Sequence, residues 1–309
     1  MRSLLFALAL AACGAPAKPV ETPPPSPPPA PITTVAADQA PDVAVPLAGG
    51  ANALWWDAAS ATLYLSDNNA DALLQWTDAG GLKTVGTFPT TASGVSLGGI
   101  VRRPDGTTLI TSFGFGKSGT LFTMGADKAG NALNGLDPVR RRVGLAQDAK
   151  GALYTAYFVG GRSEKPIGGV ASVAIDGKTA AETEVAGSST QAGFQKLVGL
   201  VATPSALYVA DQSQQTIFKI AVPGYQVSPL ASVPKVDLLV QLPNGDLLTG
   251  GAGALSRVTP AGAVTTLPGA PLEQIRGIAF DPAGKRLFLI DHSATPGRPD
   301  RLIIRGFAG

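Results

Sequence analysis

The sequence predicts an all-β fold, a six-bladed β-propeller with four antiparallel strands in each blade. A short apolar pair of residues returns six times along the chain. The pairs are separated by about 40 to 54 residues, the period of a propeller blade. Each pair follows a tight-turn signal by a few residues, and the strand segment it belongs to ends in a small or polar residue, as expected for the second strand of a blade. The pairs are Leu63-Tyr64, Leu109-Ile110, Leu153-Tyr154, Leu207-Tyr208, Leu247-Leu248 and Leu287-Phe288.

Composition agrees with a compact β fold that contains many turns. The 309 residues include 38 glycines and 26 prolines, with 45% hydrophobic and 15% charged residues. Such a chain is too apolar to be disordered. The formal net charge is +2, so no strong field would attract nucleic acid, and nucleic acid is not an expected partner.

Turn residues before each repeated pair predict a hairpin between the first and second strands of every unit. They include Asp, Asn, Pro, Gly, Ser and Thr, which favour tight turns. The six turns lie at residues 57–60, 104–106, 148–151, 203–205, 243–245 and 281–284.

The last unit lacks its fourth strand. Unit one continues with strands at residues 72–77 and 82–88, whereas unit six has only residues 276–280, 286–290 and 301–307 before the chain stops. Residues 42–47 have strand character and no partner in unit one. We therefore predict that this N-terminal strand completes the last blade, which closes the ring and covers two exposed strand edges.

The N-terminus predicts export and a lipid anchor. Residues 1–12 have a basic start and an apolar run of about nine residues, too short for a membrane span and typical of a signal peptide. The run ends in Cys13, in a context that resembles the lipobox of bacterial lipoproteins, whose cysteine is acylated. The resemblance implies a protein lipid-anchored in a bacterial cell envelope, and Gly14 favours the outer membrane. The proline-rich residues 13–41 would be an extended linker and residues 42–309 the propeller.

Two segments carry a resemblance to a known superfamily. Residues 206–211 (ALYVAD) with 216–220 (TIFKI) resemble NHL-type repeats. Residues 54–57 (LWWD) leading to 63–67 (LYLSD) resemble the opening blade of the senescence-marker/gluconolactonase superfamily. This likeness covers residues 42–309 and rests on the rhythm of the repeats, which is a signal of fold.

The resemblance implies a divalent metal at the mouth of the channel, where the innermost strands begin. Its ligands in that superfamily are a Glu, two Asn and an Asp, from blades one, three, four and five. Alignment of the turns places Asn52, Gly98, Val143, Val198, Asp237 and Arg276 at the inner-strand starts of blades one to six. A register slip of one residue would instead put Arg142 at the position of blade three.

These residues depart from the metal-binding pattern. Asn52 replaces the Glu, and Val143 and Val198 replace both Asn, so only Asp237 keeps its carboxylate. Calcium needs six to eight oxygen ligands, and we expect no cofactor. If the chain is an enzyme, Ca²⁺ or another divalent cation would bind Asn52 and Asp237, and Asp237 would be the catalytic base.

Asp237, Arg276 and Asn52 come from neighbouring blades and predict a mouth with one polar side. The other side would carry Gly98, Val143 and Val198, which suits a small ligand with one polar end. The alternative is that Asp237 and Arg276 simply pair with each other.

Other polar and aromatic residues receive narrower expectations. The loops of blades two and three suggest a recognition surface with Phe113, Phe115 and Arg162. Arginines at 102–103 and 140–142 are expected to be solvated, and an anion-binding patch is the alternative. The single histidine, His292, is expected in a solvated loop, although the Asp-His step would also suit acid–base chemistry. The recurring Asp67, Asp211 and Asp291 are expected to cap turns.

The sequence therefore favours a tethered, non-catalytic propeller that binds an envelope protein, a glycan or a small ligand. A metal-dependent lactone hydrolase is the second hypothesis, and a purely structural envelope protein is the third. Membrane contact is expected through the lipid anchor only.

Overall fold

The computed structural model describes residues 33–34, 42–90, 95–114, 116–160, 164–187, 193–250, 253–295 and 297–307. Within them the chain forms six antiparallel sheets arranged as the blades of a propeller, which confirms the predicted fold class. Cys13, Phe115 and Arg162 lie outside the described residues. Nowhere in the described part of the chain does a helix reach the length and apolar character that crossing a bilayer requires.

Blades one to three each consist of four consecutive strands, ordered from the channel outwards. Blade one contains β3 (Ala51–Asp57), β4 (Thr62–Asp67), β5 (Ala72–Thr77) and β6 (Gly81–Thr87). Blade two contains β7 (Ser96–Arg102), β8 (Thr108–Phe113), β9 (Thr120–Met124) and β10 (Gly130–Ala132). Blade three contains β11 (Arg141–Gln147), β12 (Leu153–Val159), β13 (Ile167–Asp176) and β14 (Thr179–Gly187).

Blades four to six follow the same plan, with N-terminal strands added to the last two. Blade four contains β15 (Leu197–Ala202), β16 (Ala206–Asp211), β17 (Thr216–Ala221) and β18 (Val227–Ser232). Blade five contains β19 (Leu239–Gln241), β20 (Leu247–Gly250), β21 (Leu255–Val258), β22 (Val264–Leu267) and, at its outer edge, β1 (Thr33–Thr34). Blade six contains β23 (Gln274–Asp281), β24 (Arg286–His292), β25 (Arg301–Gly306) and β2 (Val43–Pro46).

The repeated apolar pairs lie in the second strand of each blade, where both faces of the sheet are covered by neighbouring blades. Every residue of β4 and β16 is buried, which explains why these strands are apolar on both faces. Asp67 and Asp211, which end these two strands, cap turns as predicted, whereas Asp291 accepts from the backbone N–H groups of Glu273 and Gln274 instead. Asp67 Oδ1 accepts hydrogen bonds from the backbone N–H groups of Asn69 and Ala70, and Asp211 does the same two and three residues on.

The N-terminal strand closes the ring as predicted. β2 pairs antiparallel with β25, with Val43 opposite Ile304. Arg305, only 3% exposed, donates to both carboxylate oxygens of Asp42 at 2.9 and 2.7 Å. Aromatic packing joins the first and last blades, since the rings of Trp56 and Phe288 stack 5.2 Å apart. The strand β1 was not predicted. It lies within the segment expected to be a linker and pairs parallel with β22.

The expectation that the arginines at 140–142 are solvated is wrong. Arg142 is fully buried, and its guanidinium donates twice to Glu182, each time at 2.7 Å. It also donates to the carbonyl oxygens of Gly119 and Arg140. A buried guanidinium must be paired, because an isolated charge in the interior is very costly. Arg142 therefore points into blade three, and Val143 is the residue at the mouth.

Candidate functional site

The inner strands begin with an irregularity that turns one residue towards the channel mouth. Register shifts occur at the start of β3, β7, β11, β15 and β23. A β-bulge leaves a residue unpaired and re-aims its side chain. The bulged segments contain Asn52, Gly98, Val143, Val198 and Arg276, so the positions predicted from the turns form one ring.

Glycines beside the bulges let neighbouring blades approach closely at this ring. A Cβ atom on Gly144 would lie 2.9 Å from Leu200 Cβ and 3.1 Å from the carbonyl oxygen of Val198. On Gly199 it would lie 2.5 Å from the carbonyl oxygen of Asp237. Asp237 therefore occupies in blade five the place that Val198 occupies in blade four.

Asp237 is a dehydrated carboxyl group at the mouth. Its Oδ2 atom accepts a hydrogen bond from Gln212 Nε2 at 3.1 Å. Part of the residue reaches solvent, but the carboxyl group is deep enough that burial raises the pKa of Asp237 to about 7, opposed by the positive charges of Lys196 and Arg276. Among the described residues, Asp237 and Arg276 form no direct ion pair, so their interaction is an attraction at longer range.

Lys196 is a mouth residue that sequence reasoning missed. It directly precedes β15, two residues before Val198, and its ammonium nitrogen lies 5.8 Å from the centre of the Phe158 ring. Burial lowers the pKa of Lys196; Asp237 opposes this effect and the positive charge of Arg141 adds to it. Arg141 was also missed, and its guanidinium lies 4.5 Å from the centre of the same ring. Blades three and four therefore contribute cations, and the predicted apolar side is narrower than expected.

Arg276 extends the positive charge to blade six. Its only hydrogen bond to a described residue is a long one, 3.4 Å from Nη2 to Gln274 Oε1. Burial lowers the pKa of Arg276, and the carboxylates of Asp300 and Asp237 oppose that effect. An arginine stays protonated in proteins, so this half-buried guanidinium keeps a positive charge, and most of its donors have no partner among the described residues.

Asn52 has a structural role at the junction of blades one and two. Its Nδ2 atom donates to the carbonyl oxygen of Leu97 at 2.9 Å. Asn68 Oδ1 accepts from the backbone N–H of the same residue at 2.8 Å. The two amides therefore hold the start of β7, the inner strand of blade two, against blade one.

Below the ring, the channel is narrow and largely apolar. It holds a cavity of about 250 Å³ between the six inner strands, with Val143, Val198 and Leu238 near the mouth and Trp56 and Phe280 towards the other end. The valines expected to form the apolar side of the mouth thus also line this channel.

A second, polar pocket lies beside the mouth between blades six, one and two; we call it the rim pocket. Its volume is about 640 Å³, and Asn68, Ser96, Arg276, His292 and Arg298 line it together with the loop after β24. His292 is not a solvated loop residue, because it ends β24 and its Nδ1 atom lies 2.8 Å from Asp300 Oδ1.

The donor set at the mouth does not fit the divalent cation that the resemblance implies. One carboxylate, Asp237, and one amide, Asn52, supply side-chain oxygen at the predicted positions, far fewer than the six to eight oxygen ligands that Ca²⁺ takes. Lys196 and Arg276 add positive charge beside the carboxylate. No three Asp, Glu, His or Cys side chains cluster as a metal site in the part of the chain that the structure describes.

Of the two phenylalanines predicted as contact residues in blade two, Phe113 is placed differently by the structure. Phe113, at the end of β8, packs against a core cluster that includes Val143 and Phe158, so it is not an exposed contact residue. Phe115 and Arg162 lie outside the described residues, and their predicted binding role stays a prediction.

Comparisons with known proteins support the fold. No family model matches the sequence, and no curated protein matches it. Solved structures do match. A luciferin-regenerating enzyme is 14% identical with a TM-score of 0.64, covering 87% of this chain and 98% of that one. A gluconolactonase from Xanthomonas campestris is 18% identical with a TM-score of 0.62, covering 84% and 86%.

A third match is regucalcin from Agrobacterium tumefaciens, described as a calcium-binding protein. It is 17% identical with a TM-score of 0.64, covering 85% of this chain and 92% of that one. Identities this low establish a shared fold and leave the chemistry open. The chain is a six-bladed β-propeller whose structural neighbours include gluconolactonase and regucalcin, which confirms the predicted resemblance at the level of the fold.

Proposed function

We propose that this propeller is a binding module whose channel mouth takes a small anionic ligand, of which a carboxylate is the simplest example. One observation carries the proposal. Lys196 and Arg276 flank Asp237 at the mouth, and neither cation has a direct ion pair with a described residue.

The charge balance at the mouth favours an anion over a cation. Lys196, Arg276 and Arg141 provide three positive groups. Against them stand the carboxylate of Asp300, which acts on Arg276, and the carboxyl group of Asp237, which is about half ionised at pH 7. Cations that line a cleft with low-dielectric walls attract anions. Guanidinium and ammonium groups also donate charge-assisted hydrogen bonds to carboxylates.

Thermal unfolding of the full chain in sodium propionate, compared with sodium chloride at the same ionic strength, tests the proposal. A ligand at 100 times its dissociation constant adds about 2.7 kcal/mol of stability, so the midpoint should rise. We expect Lys196→Gln and Arg276→Gln each to abolish the rise.

The matched control is Lys219→Gln, which removes a lysine from β17 of the same blade, two strands away from the channel. This variant should keep the full propionate effect. A midpoint that responds equally to chloride and propionate would contradict the proposal, as would a rise that survives in Lys196→Gln.

A second candidate function is lactone hydrolysis, favoured by the carboxyl of Asp237. A pKa of about 7 suits a general base at neutral pH, and a gluconolactonase shares the fold. Asp237 would accept a proton from a water molecule while the oxygen of that water bonds to the lactone carbonyl carbon. Lys196 and Arg276 would stabilise the oxyanion, and the proton would pass to the leaving ring oxygen as the carbon–oxygen bond breaks.

Turnover of D-glucono-1,5-lactone tests this candidate. Asp237→Asn should lower the enzymatic rate at least about 100-fold, the lower range for loss of a general base. Gln212→Leu, which removes the hydrogen bond to Asp237 but leaves the carboxyl, should change the pH profile and keep measurable activity. Full activity in Asp237→Asn would exclude the candidate.

We also propose that Cys13 anchors the module in a bacterial envelope. The apolar run that ends at this cysteine and the proline-rich segment after it support the proposal. Expression in a bacterial host with radiolabelled palmitate should label the chain, and Cys13→Ala should remove the label. Labelling that persists in Cys13→Ala would contradict the anchor.

A further inference from the structure

The rim pocket combines a cation that forms no ion pair with a described residue and an imidazole whose orientation is fixed. Arg276 forms one of its walls, and His292 forms another. Neither the channel mouth nor the resemblance to lactonases assigns a role to His292, which is the only histidine in the chain.

Asp300 fixes the orientation of the imidazole. It is 7% exposed, and its Oδ1 atom accepts from the backbone N–H of Ser293 at 3.1 Å and lies 2.8 Å from His292 Nδ1. A carboxylate only accepts hydrogen bonds when ionised. His292 therefore carries its proton on Nδ1, and in the neutral imidazole Nε2 is an acceptor.

The Nε2 atom has no hydrogen-bond partner among the described residues, and a quarter of the His292 side chain is exposed. Since His292 lines the rim pocket, this acceptor is available to a ligand there. Asp300 Oδ2 is buried and likewise without a hydrogen-bond partner in the described part of the chain, and its charge acts on Arg276 at longer range.

Arg276 is the anion-binding group of the pocket, and a second arginine provides a contrast. Arg298 also lines the pocket, but its Nη1 atom donates to Glu273. Its charge is therefore already compensated. Among the described residues Arg276 has only the long contact with Gln274, so most of its donors remain available for a carboxylate.

We infer that the rim pocket binds the carboxylate of a ligand that carries an O–H or N–H donor on the adjacent carbon. Arg276 binds the carboxylate, and His292 Nε2 accepts the hydrogen bond from the neighbouring donor. α-Hydroxy carboxylates and N-acyl-α-amino carboxylates share this chemistry. The pocket volume of about 640 Å³ accommodates small molecules of either class. The inference rests on the proposed function and adds the ligand class.

The test is direct because the chain has a single histidine. The NMR signals of its ring nitrogens in the full chain can be assigned without preparing mutants. In the free protein we expect the Nδ1–H tautomer of the neutral imidazole. Addition of lactate or of N-acetylalanine should shift the Nε2 resonance, and propionate, which lacks the donor, should leave it nearly unchanged. A response to only one of the two compounds identifies the ligand class.

Two variants separate the specific contact from general attraction of anions. Arg276→Gln should abolish the Nε2 response to lactate, whereas Arg298→Gln should retain it. An Nε2–H tautomer in the free protein would overturn the inference. The inference would also be overturned if neither lactate nor N-acetylalanine shifted the Nε2 resonance, or if propionate shifted it equally.

The outcomes distinguish the inference from the proposed function. If propionate raises the unfolding midpoint through Lys196 and Arg276 but lactate does not shift the His292 Nε2 resonance, only the inference fails. If none of the three carboxylates changes either the midpoint or the resonance, both fail.

Discussion

Replacement of Asp237 with Asn should change how the stability of the propeller depends on pH. Burial raises the pKa of the folded carboxyl group to about 7, from an ordinary value of 3.8. Between these two pH values the folded state holds a proton that the unfolded state has released. Stability therefore falls as pH rises through this window, and the fall is complete above pH 7.

The magnitude follows from the difference between the two pKa values. Each pKa unit corresponds to about 1.4 kcal/mol, so a difference of about three units gives an upper limit of roughly 4 kcal/mol. Because part of Asp237 reaches solvent, the measured value should be smaller, and we expect roughly 2 to 4 kcal/mol. The Asn side chain does not titrate and removes this effect.

Denaturant unfolding at pH 4, 6 and 8 measures the free energy of unfolding of both proteins. Relative to Asp237→Asn, the unsubstituted chain should lose stability between pH 4 and pH 8 by the amount given above. The control is Asp105→Asn. Hydrogen bonds from Thr107, one of them from its backbone N–H at 2.8 Å, lower the pKa of this exposed carboxyl group below 3.8, so its contribution is lost only at still lower pH and should hardly vary between pH 4 and pH 8. A difference between the unsubstituted chain and Asp237→Asn that does not vary with pH would refute the reasoning.

Two further predictions concern the framework that holds the mouth. Gly144→Ala places a Cβ atom 2.9 Å from a neighbouring blade and should lower the free energy of unfolding by about 1 to 3 kcal/mol. Gly306→Ala, with open space around it, should change that free energy little. Equal losses of the two variants in urea unfolding would contradict the close approach of the blades. Glu182→Gln leaves the fully buried Arg142 without its charge partner and should cost about 3 to 5 kcal/mol. The double variant with Arg142→Met should recover part of that loss, and a loss in the double variant equal to the sum of the single losses would show that the pair is not coupled.

The fold could be predicted from the sequence because its signals are local and repeated. The buried second strands need apolar residues on both faces, so pairs such as Leu63 and Tyr64 return with every blade. The closing strand was predictable from a count of strands, since unit six ended one short. The ring positions were predictable because the turns fix the register of each inner strand, and Asp237 and Arg276 lie where that register places them.

The composition of the mouth was less predictable because it depends on contacts between blades. Lys196 lies outside the inner-strand ring and reaches the mouth only through packing on Phe158. Arg142 was grouped with solvated arginines because its partner, Glu182, lies 40 residues away in the outermost strand of the blade. Asp300 is eight residues from His292, yet only the folded loop reveals that the two side chains meet. In each case the missing information is a distance between residues that the sequence pattern does not link.

Calorimetric titration of the full chain tests the central claim most directly, that the mouth binds an anion and does not bind a divalent cation. At pH 7.5 we expect propionate to give a saturable heat with a stoichiometry near one, absent in Lys196→Gln. Calcium chloride should give no saturable heat beyond its dilution. Tight calcium binding that disappears in Asp237→Asn, with no heat from propionate, would contradict the account and place a metal at the mouth.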